Sequence, residues 1–317
     1  PGFADRGTIK WDRELDRYLS KGVQKAYDEK SVVKAAYRPF VKRWLYFDPH
    51  FNGMTYQLPS MFKGGPNPTL AFLGIASQNP LSALAVDQVF DLCLLKQGNG
   101  GTQSVPRWRY AKEGARLDNI TDWALKQFTN RYGKAAAISK DDIFAYVYAV
   151  LHDPVYRETY ALNLKREFPR IPLYPDFKRW RDWGQALLDL HIGYETAKPF
   201  ALTRTDAPDP KRAEGTTPAV KLKSDPDKGV VVLDADTQLS GIPTEAWRYR
   251  LGNRSAIDWV LDQHKEKTPK DPTIREKFNT YRFADYKETV VDLLARVVTV
   301  SLETVAITDA MAALPTS

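Results

Sequence analysis

Pro66-Asn67-Pro68-Thr69-Leu70-Ala71-Phe72-Leu73-Gly74-Ile75 is a short apolar run set off by chain breakers. Its length and its bounding prolines and glycine give a buried strand. Upstream, Tyr37-Arg38-Pro39-Phe40 and Trp44-Leu45-Tyr46-Phe47 are aromatic and strand-like, Asp48-Pro49-His50-Phe51-Asn52-Gly53 reads as a turn, and Met54 to Leu58 as a return strand. Before them, Trp11 to Lys21 places Trp11, Leu15 and Tyr18/Leu19 on one face of a helix. Downstream, Ser82 to Leu95 continues as mixed apolar structure, closed by Gly98-Asn99-Gly100-Gly101.

The middle third has a helical period. Ser139 and Asp142 have the spacing of a capping box ahead of Ile143, Phe144 and Val147, and Asp153-Pro154 ends that helix and starts another. Tyr156, Tyr160 and Leu164 recur every four residues, a one-faced stripe, and after the breakers of Pro169 to Pro175 a third helix carries Phe177, Trp180, Leu187 and Leu190. Residues 197–218, rich in Pro, Asp, Lys and Thr, read as a long loop. Ala219 to Lys223 and Val230 to Leu233 flank Ser224-Asp225-Pro226-Asp227-Lys228-Gly229 as a hairpin. Lys265 to Lys277 is charged and expected at the surface, and Val290, Leu293, Val297, Val300 and Thr304 define a long closing helix. The expected fold is mixed α/β (α+β): a strand-rich N-terminal lobe over 1–115, a central helical layer over 116–200, and a C-terminal hairpin and long helix over 201–317, together one module.

Composition narrows function only partly. Lys and Arg number 46 against 39 Asp and Glu, a net +7. Such a balance permits binding to a polyanion without demanding it. The lone Cys93 sits in the apolar run Phe90 to Leu95 and is expected to be a buried, inert thiol in a reducing cytoplasm. No apolar run approaches a membrane span, and no signal-peptide pattern opens the chain. A start at Pro1 fits a piece of a longer polypeptide or trimmed numbering.

Catalytic constellations are missing from the pattern. There is no H-E-x-x-H, C-x-x-C, G-x-S-x-G or phosphate-binding glycine loop, and the glycine clusters at Lys63-Gly64-Gly65 and Gly98 to Gly101 read as loops. His50, His152, His191 and His264 lie scattered over turns and helix ends, as surface or capping histidines do. Asp234 and Asp236 have the spacing of carboxylates on an exposed strand face rather than of a metal site. No catalytic or metal-binding residue and no cofactor is expected in this chain.

What remains is basic and aromatic. Base reading needs Arg, Lys, Asn and Gln that reach base edges, with further cations on phosphates to set register. The clusters are Arg38/Lys42/Arg43, Arg107/Arg109, Lys178/Arg179/Arg181 and Arg248/Arg250/Arg254, three of them interleaved with Trp44, Trp108-Tyr110 and Trp247-Tyr249. Arg stems lying over rings at an ordinary surface give the same pattern. The amide-rich stretches Ser77-Gln78-Asn79 and Gln97-Gly98-Asn99 add possible readers of adenine or guanine edges.

Several stretches, in order and over nearly the whole chain, resemble one family. They are Tyr37-Arg38-Pro39-Phe40 with Trp44 to Asp48, Leu151-His152-Asp153-Pro154-Val155-Tyr156-Arg157, Asn163 to Pro172, Leu239-Ser240-Gly241-Ile242-Pro243, and Val297 to Ser301 with Glu303-Thr304. The sequence is similar to the C-terminal specificity domain of Type ISP restriction-modification enzymes. That resemblance implies recognition of duplex DNA on behalf of a nuclease, a helicase-like ATPase motor and an adenine-N6 methyltransferase of the same polypeptide. S-adenosylmethionine, ATP and Mg would belong to those parts, since this chain has neither an N-P-P-Y-type tetrapeptide nor a Walker motif. The shared stretches are apolar or turn-forming and do not pick out the base readers. Two other readings stay open: a structural coupling module between motor and methyltransferase, and a DNA grip of a helicase or nuclease without sequence reading.

Overall fold

The computed structural model describes residues 13–95, 101–269 and 274–314. Its first helix, α1 (Arg13–Ser20), falls within the expected stretch, with Trp11 outside the described residues. None of its residues is buried, so the stripe does not enter the core, and Tyr18 stacks instead on His50 at 4.1 Å. The aromatic segments pair as β1 (Val32–Arg38) and β2 (Val41–Tyr46), which makes Pro39-Phe40 their turn. Pro39 fixes its own φ, and Phe40 follows at φ 59°. That left-handed conformation costs a side chain about 1–2 kcal/mol. Burial of the ring edge-on to Tyr194 and Tyr249 offsets it. The strand expected at Met54–Leu58 is not there: Met54 and Tyr56 take φ of 55° and 46°, which no extended strand adopts, and the short helix α2 (Leu58–Met61) follows.

The opening run becomes β3 (Thr69–Leu73), buried at all five positions. It pairs antiparallel with β4 (Ser82–Val86) on one side and β5 (Gln103–Pro106) on the other. Side chains alternate across a strand, so this sheet serves two cores at once. Leu70, Phe72, Ala83 and Ala85 pack with the helical residues, while Ala71, Leu73, Leu84 and Val86 pack with the C-terminal ones. Past Phe90 the apolar stretch turns, with the Cys93 amide donating to Asp91 Oδ1 at 2.7 Å. The turn leaves Cys93 half-buried rather than buried.

A small hairpin, β6 (Trp108–Tyr110) and β7 (Arg116–Asp118), precedes α3 (Asp122–Tyr132), α4 (Lys140–Val150), α5 (Pro154–Thr159) and α6 (Phe177–Ile192). The Ser139–Asp142 capping box forms at the start of α4. The stripe of Tyr156, Tyr160 and Leu164 does not share one helix, because α5 ends at Thr159 and Tyr160 is 47% exposed. Helices α4 and α6 touch backbone to backbone at Gly184, where an added Cβ would stand 1.8 Å from the Ala145 carbonyl oxygen.

The loop expected over 197–218 contains β8 (Thr203–Asp206), an edge strand of a four-stranded sheet with β9 (Val220–Asp225), β10 (Val230–Asp234) and β11 (Thr237–Ser240). Its pattern conceals it because all four residues are exposed. The β9–β10 hairpin is as expected. Asp234 and Asp236 go to separate cations, Lys287 and Arg212. A two-residue turn joins β12 (Arg250–Leu251) to β13 (Arg254–Ser255), followed by α7 (Ala256–Gln263) and the long α8 (Lys287–Ala312). Lys265 to Thr268 and Arg275 to Lys277 are exposed as expected, and 270–273 lie outside the described residues.

Three of the four histidines are core residues, contrary to the surface reading. His152, His191 and His264 are 1%, 2% and 8% exposed. The Ala85 amide donates to the Tyr148 hydroxyl at 2.7 Å, which lies 2.5 Å from His191 Nδ1, and His191 Nε2 lies 3.0 Å from Thr304 Oγ1. A hydroxyl that donates to Nδ1 leaves Nε2–H to donate to Thr304, so one neutral imidazole ties β4, α4, α6 and α8 together.

Candidate nucleic-acid interface

A guanidinium or ammonium is available to a phosphate or base only when no protein acid already holds it. Eight of the candidate cations are held. Arg38 pairs with Asp91, Lys42 with Glu195, Lys178 with Asp182, Arg179 with Asp176 and Arg248 with Asp309. Arg181 pairs with Asp142 and Asp182, Arg254 with Asp262, and Arg107 with Asp118 and Asp141. Exposed pairs such as Lys178–Asp182 add little to stability and exchange partners readily. Arg107 differs: it is 4% exposed, and removing its acids would strand a buried charge. Its bond, with help from Lys140, holds the Asp118 carboxyl below the usual range. Trp247 and Tyr249, read as aromatic interleaving, are core rings at 7% and 5% exposure.

Among the described residues Arg43, Gln78, Asn79, Arg109 and Arg250 have no carboxylate partner, and Gln97 and Asn99 lie outside them. Arg43 donates to the Gln263 carbonyl at 3.0 Å beside the exposed Trp44. The loop that carries Gln78 and Asn79 meets the β12–β13 turn beside Arg250, through a bond between residues 170 positions apart. The Gly252 amide donates to Ser82 Oγ at 2.9 Å, and a Cβ on Gly252 would meet Leu95 O at 3.2 Å and Asn79 Nδ2 at 3.8 Å. Gly252 takes φ 65°, as the first residue of the β12–β13 turn requires.

The other flank of the same loop touches a third segment. The Ala76 amide donates to the Lys165 carbonyl at 2.9 Å, and a Cβ on Gly74 would stand 3.1 Å from Leu164 O. Ala76 holds φ 59°, a conformation kept only where the surroundings enforce it. Lys165 and Arg166 are exposed there with no acid partner among the described residues. Residues 74–80, 163–166 and 250–253 thus form one surface with Lys165, Arg166 and Arg250 as cations, Gln78, Asn79, Asn163 and Asn253 as amides, and no Asp or Glu among them. Lys165 and Arg166 stand inside Asn163 to Pro172, a stretch that reads as scaffold in the sequence, so they do not stand out there as a basic cluster.

A cavity of about 680 Å³ is of another kind. It is an apolar groove between α3, α4 and residues 168–173, rimmed by the exposed Trp123 and Phe168, with no ionisable side chain in its lining. Among the described residues no group of three or more His, Cys, Asp or Glu could hold a metal ion, and no helix is long and apolar enough to cross a membrane.

Residues 3–293 match the Type ISP C-terminal specificity domain, and the chain belongs to that family. Its fold is shared by solved structures of much longer chains. It is 48% identical to part of the chain in "cryoEM structure DrdV-DNA complex", with a TM-score of 0.91 over 98% of this chain and 31% of that one. A nuclease-deletion mutant of the Type ISP restriction-modification enzyme LlaGI, in complex with a DNA substrate mimic, is 27% identical with a TM-score of 0.77, covering 98% of this chain and 27% of that one. The ATP-dependent Type ISP enzyme LlaBIII bound to DNA shares the fold at 22% identity and a TM-score of 0.75, covering 95% and 20%. This chain therefore spans about a third or less of each. No curated protein matches it.

Proposed function

We propose that the chain recognises a duplex DNA sequence for a restriction-modification enzyme whose adenine methyltransferase, helicase-like ATPase and nuclease lie in other parts of the polypeptide. The observation that carries this reading is the specificity-domain match over residues 3–293. The similar DrdV and LlaGI chains were solved with DNA or its mimic, which supports the same partner here. The chain acts by binding, and S-adenosylmethionine, ATP and Mg serve the other parts. Base readout falls to Gln78, Asn79 and Arg250 on the surface described above, with Lys165 and Arg166 on phosphates. Arg suits a guanine edge and an amide an adenine edge, each good pair discriminating by about 1–3 kcal/mol. Arg43 beside Trp44 is a further contact. The eight acid-bound cations are first of all intramolecular, and the exposed ones reach DNA only by exchanging a carboxylate for a phosphate.

Competition binding with single-base variants of the preferred duplex tests the assignment. R250A is expected to relax the preference at one or two base pairs by roughly tenfold while leaving the others intact. An unchanged preference at every position would remove Arg250 from the reading surface. The apolar groove rimmed by Trp123 and Phe168 favours a second role, docking of the remaining polypeptide. A Trp123→Ala variant would then weaken assembly without changing the sequence preferred.

A further inference from the structure

We infer that the β6–β7 hairpin is a second DNA contact, a phosphate clamp that straddles one groove; this rests on the DNA-reading proposal above. Lys63, Arg109, Lys112 and Arg116 are exposed on the hairpin and the loop it packs against, and none has a carboxylate partner among the described residues. Glu113 is the one acid there not already bonded, since Asp118 is held by Arg107 and Lys140. The charge is carried on a rigid support. The buried Asn67 side chain stands in for a strand neighbour: its Nδ2 donates to Trp108 O at 2.9 Å and its Oδ1 accepts from the Trp108 amide at 3.1 Å. The Tyr110 ring lies where a Cβ on Gly64 would be, 2.4 Å away, and Lys63 Nζ donates to the Lys112 carbonyl at 2.7 Å.

The cations point in opposed directions. Arg109 is paired with Leu117 in the ladder and Tyr110 with Arg116, so Arg109 and Arg116 project from opposite faces of the hairpin. The Arg116 guanidinium lies 4.2 Å from the Trp108 ring centre, whose other neighbour is the buried Arg107 at 3.7 Å. The ring holds the Arg116 guanidinium in place, and with no carboxylate bound to it among the described residues its N–H groups remain open to a phosphate oxygen. A two-stranded ribbon fits the major groove, which is about 12 Å wide. Entered edge-on, it would put Arg109 towards one phosphate wall, Arg116 towards the other and Lys112 at the tip. The hairpin follows the Pro106 end of β5, whereas the loop at 74–79 follows the opposite end of β3. Five residues of strand span roughly 16 Å. That is about five steps of DNA at ~3.4 Å each.

Binding to the preferred duplex and to a scrambled one, over a salt series, tests the clamp with the whole chain. R109A/R116A is expected to lower the slope of log affinity against log salt by about two, and to weaken both duplexes alike by roughly tenfold per cation near 0.1 M salt. R179A/R248A removes the same charge from acid-bound positions and is expected to leave the slope unchanged; circular dichroism of both doubles checks that they fold. Equal slopes for the two doubles, whether both fall or neither does, would overturn the clamp while leaving DNA reading intact. A wild-type chain that binds no duplex would instead defeat the reading on which it rests.

Discussion

His191 shows what a single buried residue does in this fold. Burial first, and the nearby Arg157 charge second, push its imidazole down to about 3, and burial likewise holds His152 well below the usual range. Both are therefore neutral in the native state, whereas in the unfolded chain they take up a proton below about pH 6.5. The unfolded state then binds more protons, so their contribution is complete above about pH 6.5 and is lost as the pH falls below it, for His191 down to about 3. Unfolding free energies from urea titrations between pH 6.5 and 4.5 are expected to fall, by up to about 1.4 kcal/mol per pH unit for each histidine. His191→Gln is expected to be less stable at pH 7 and to show a shallower fall. A fall as steep as in the wild type would show that His191 is protonated in the native state. None of this was legible in the sequence, where a histidine near a helix end looks the same whether it faces solvent or the core. Reading bases suffers the same limit. Arg107, Arg109 and Arg116 are equivalent as letters, and only tertiary contacts make the first a buried strut, the second free and the third stacked.

At the level of elements, local rules carried well and long-range ones did not. The Ser139–Asp142 box, the β9–β10 hairpin and the closing helix follow from spacing over a few residues. β8 escaped notice because it is an exposed edge strand held by β11, 31 to 37 positions away, rather than by its own pattern. The surface at 74–80 was half legible: its amides stood out, but its union with Arg250 depends on packing across the chain. Gly184 is another hidden determinant, for nothing near it marks the α4–α6 crossing. Gly184→Ala would drive a methyl group into the Ala145 carbonyl, a backbone atom that cannot rotate away. A loss of about 3 kcal/mol or more in urea unfolding is expected. A loss below 1 kcal/mol would mean that the two helices separate freely.

For the whole molecule, the β4–β3–β5 sheet is the organising feature. One face completes a core with residues from Phe128 to Leu188 and Met311, and the other a core with residues from Tyr194 to Val305. Both DNA-facing surfaces proposed above extend from the ends of this sheet, so their spacing is set by buried strands rather than by a flexible linker. The fold class was readable from the run at Thr69 and from the helical periods around it. The family followed from ordered resemblance, to which a net charge of +7 added little. The cations that matter are those left over after internal pairing, and charge counting cannot single them out. The most direct test is to incubate the folded chain with a pool of random duplexes at moderate salt, recover the bound fraction and sequence it. One recurring short motif, depleted when Arg250 is replaced by Ala, is the expected result; a recovered pool no different from the input would contradict sequence recognition by this chain.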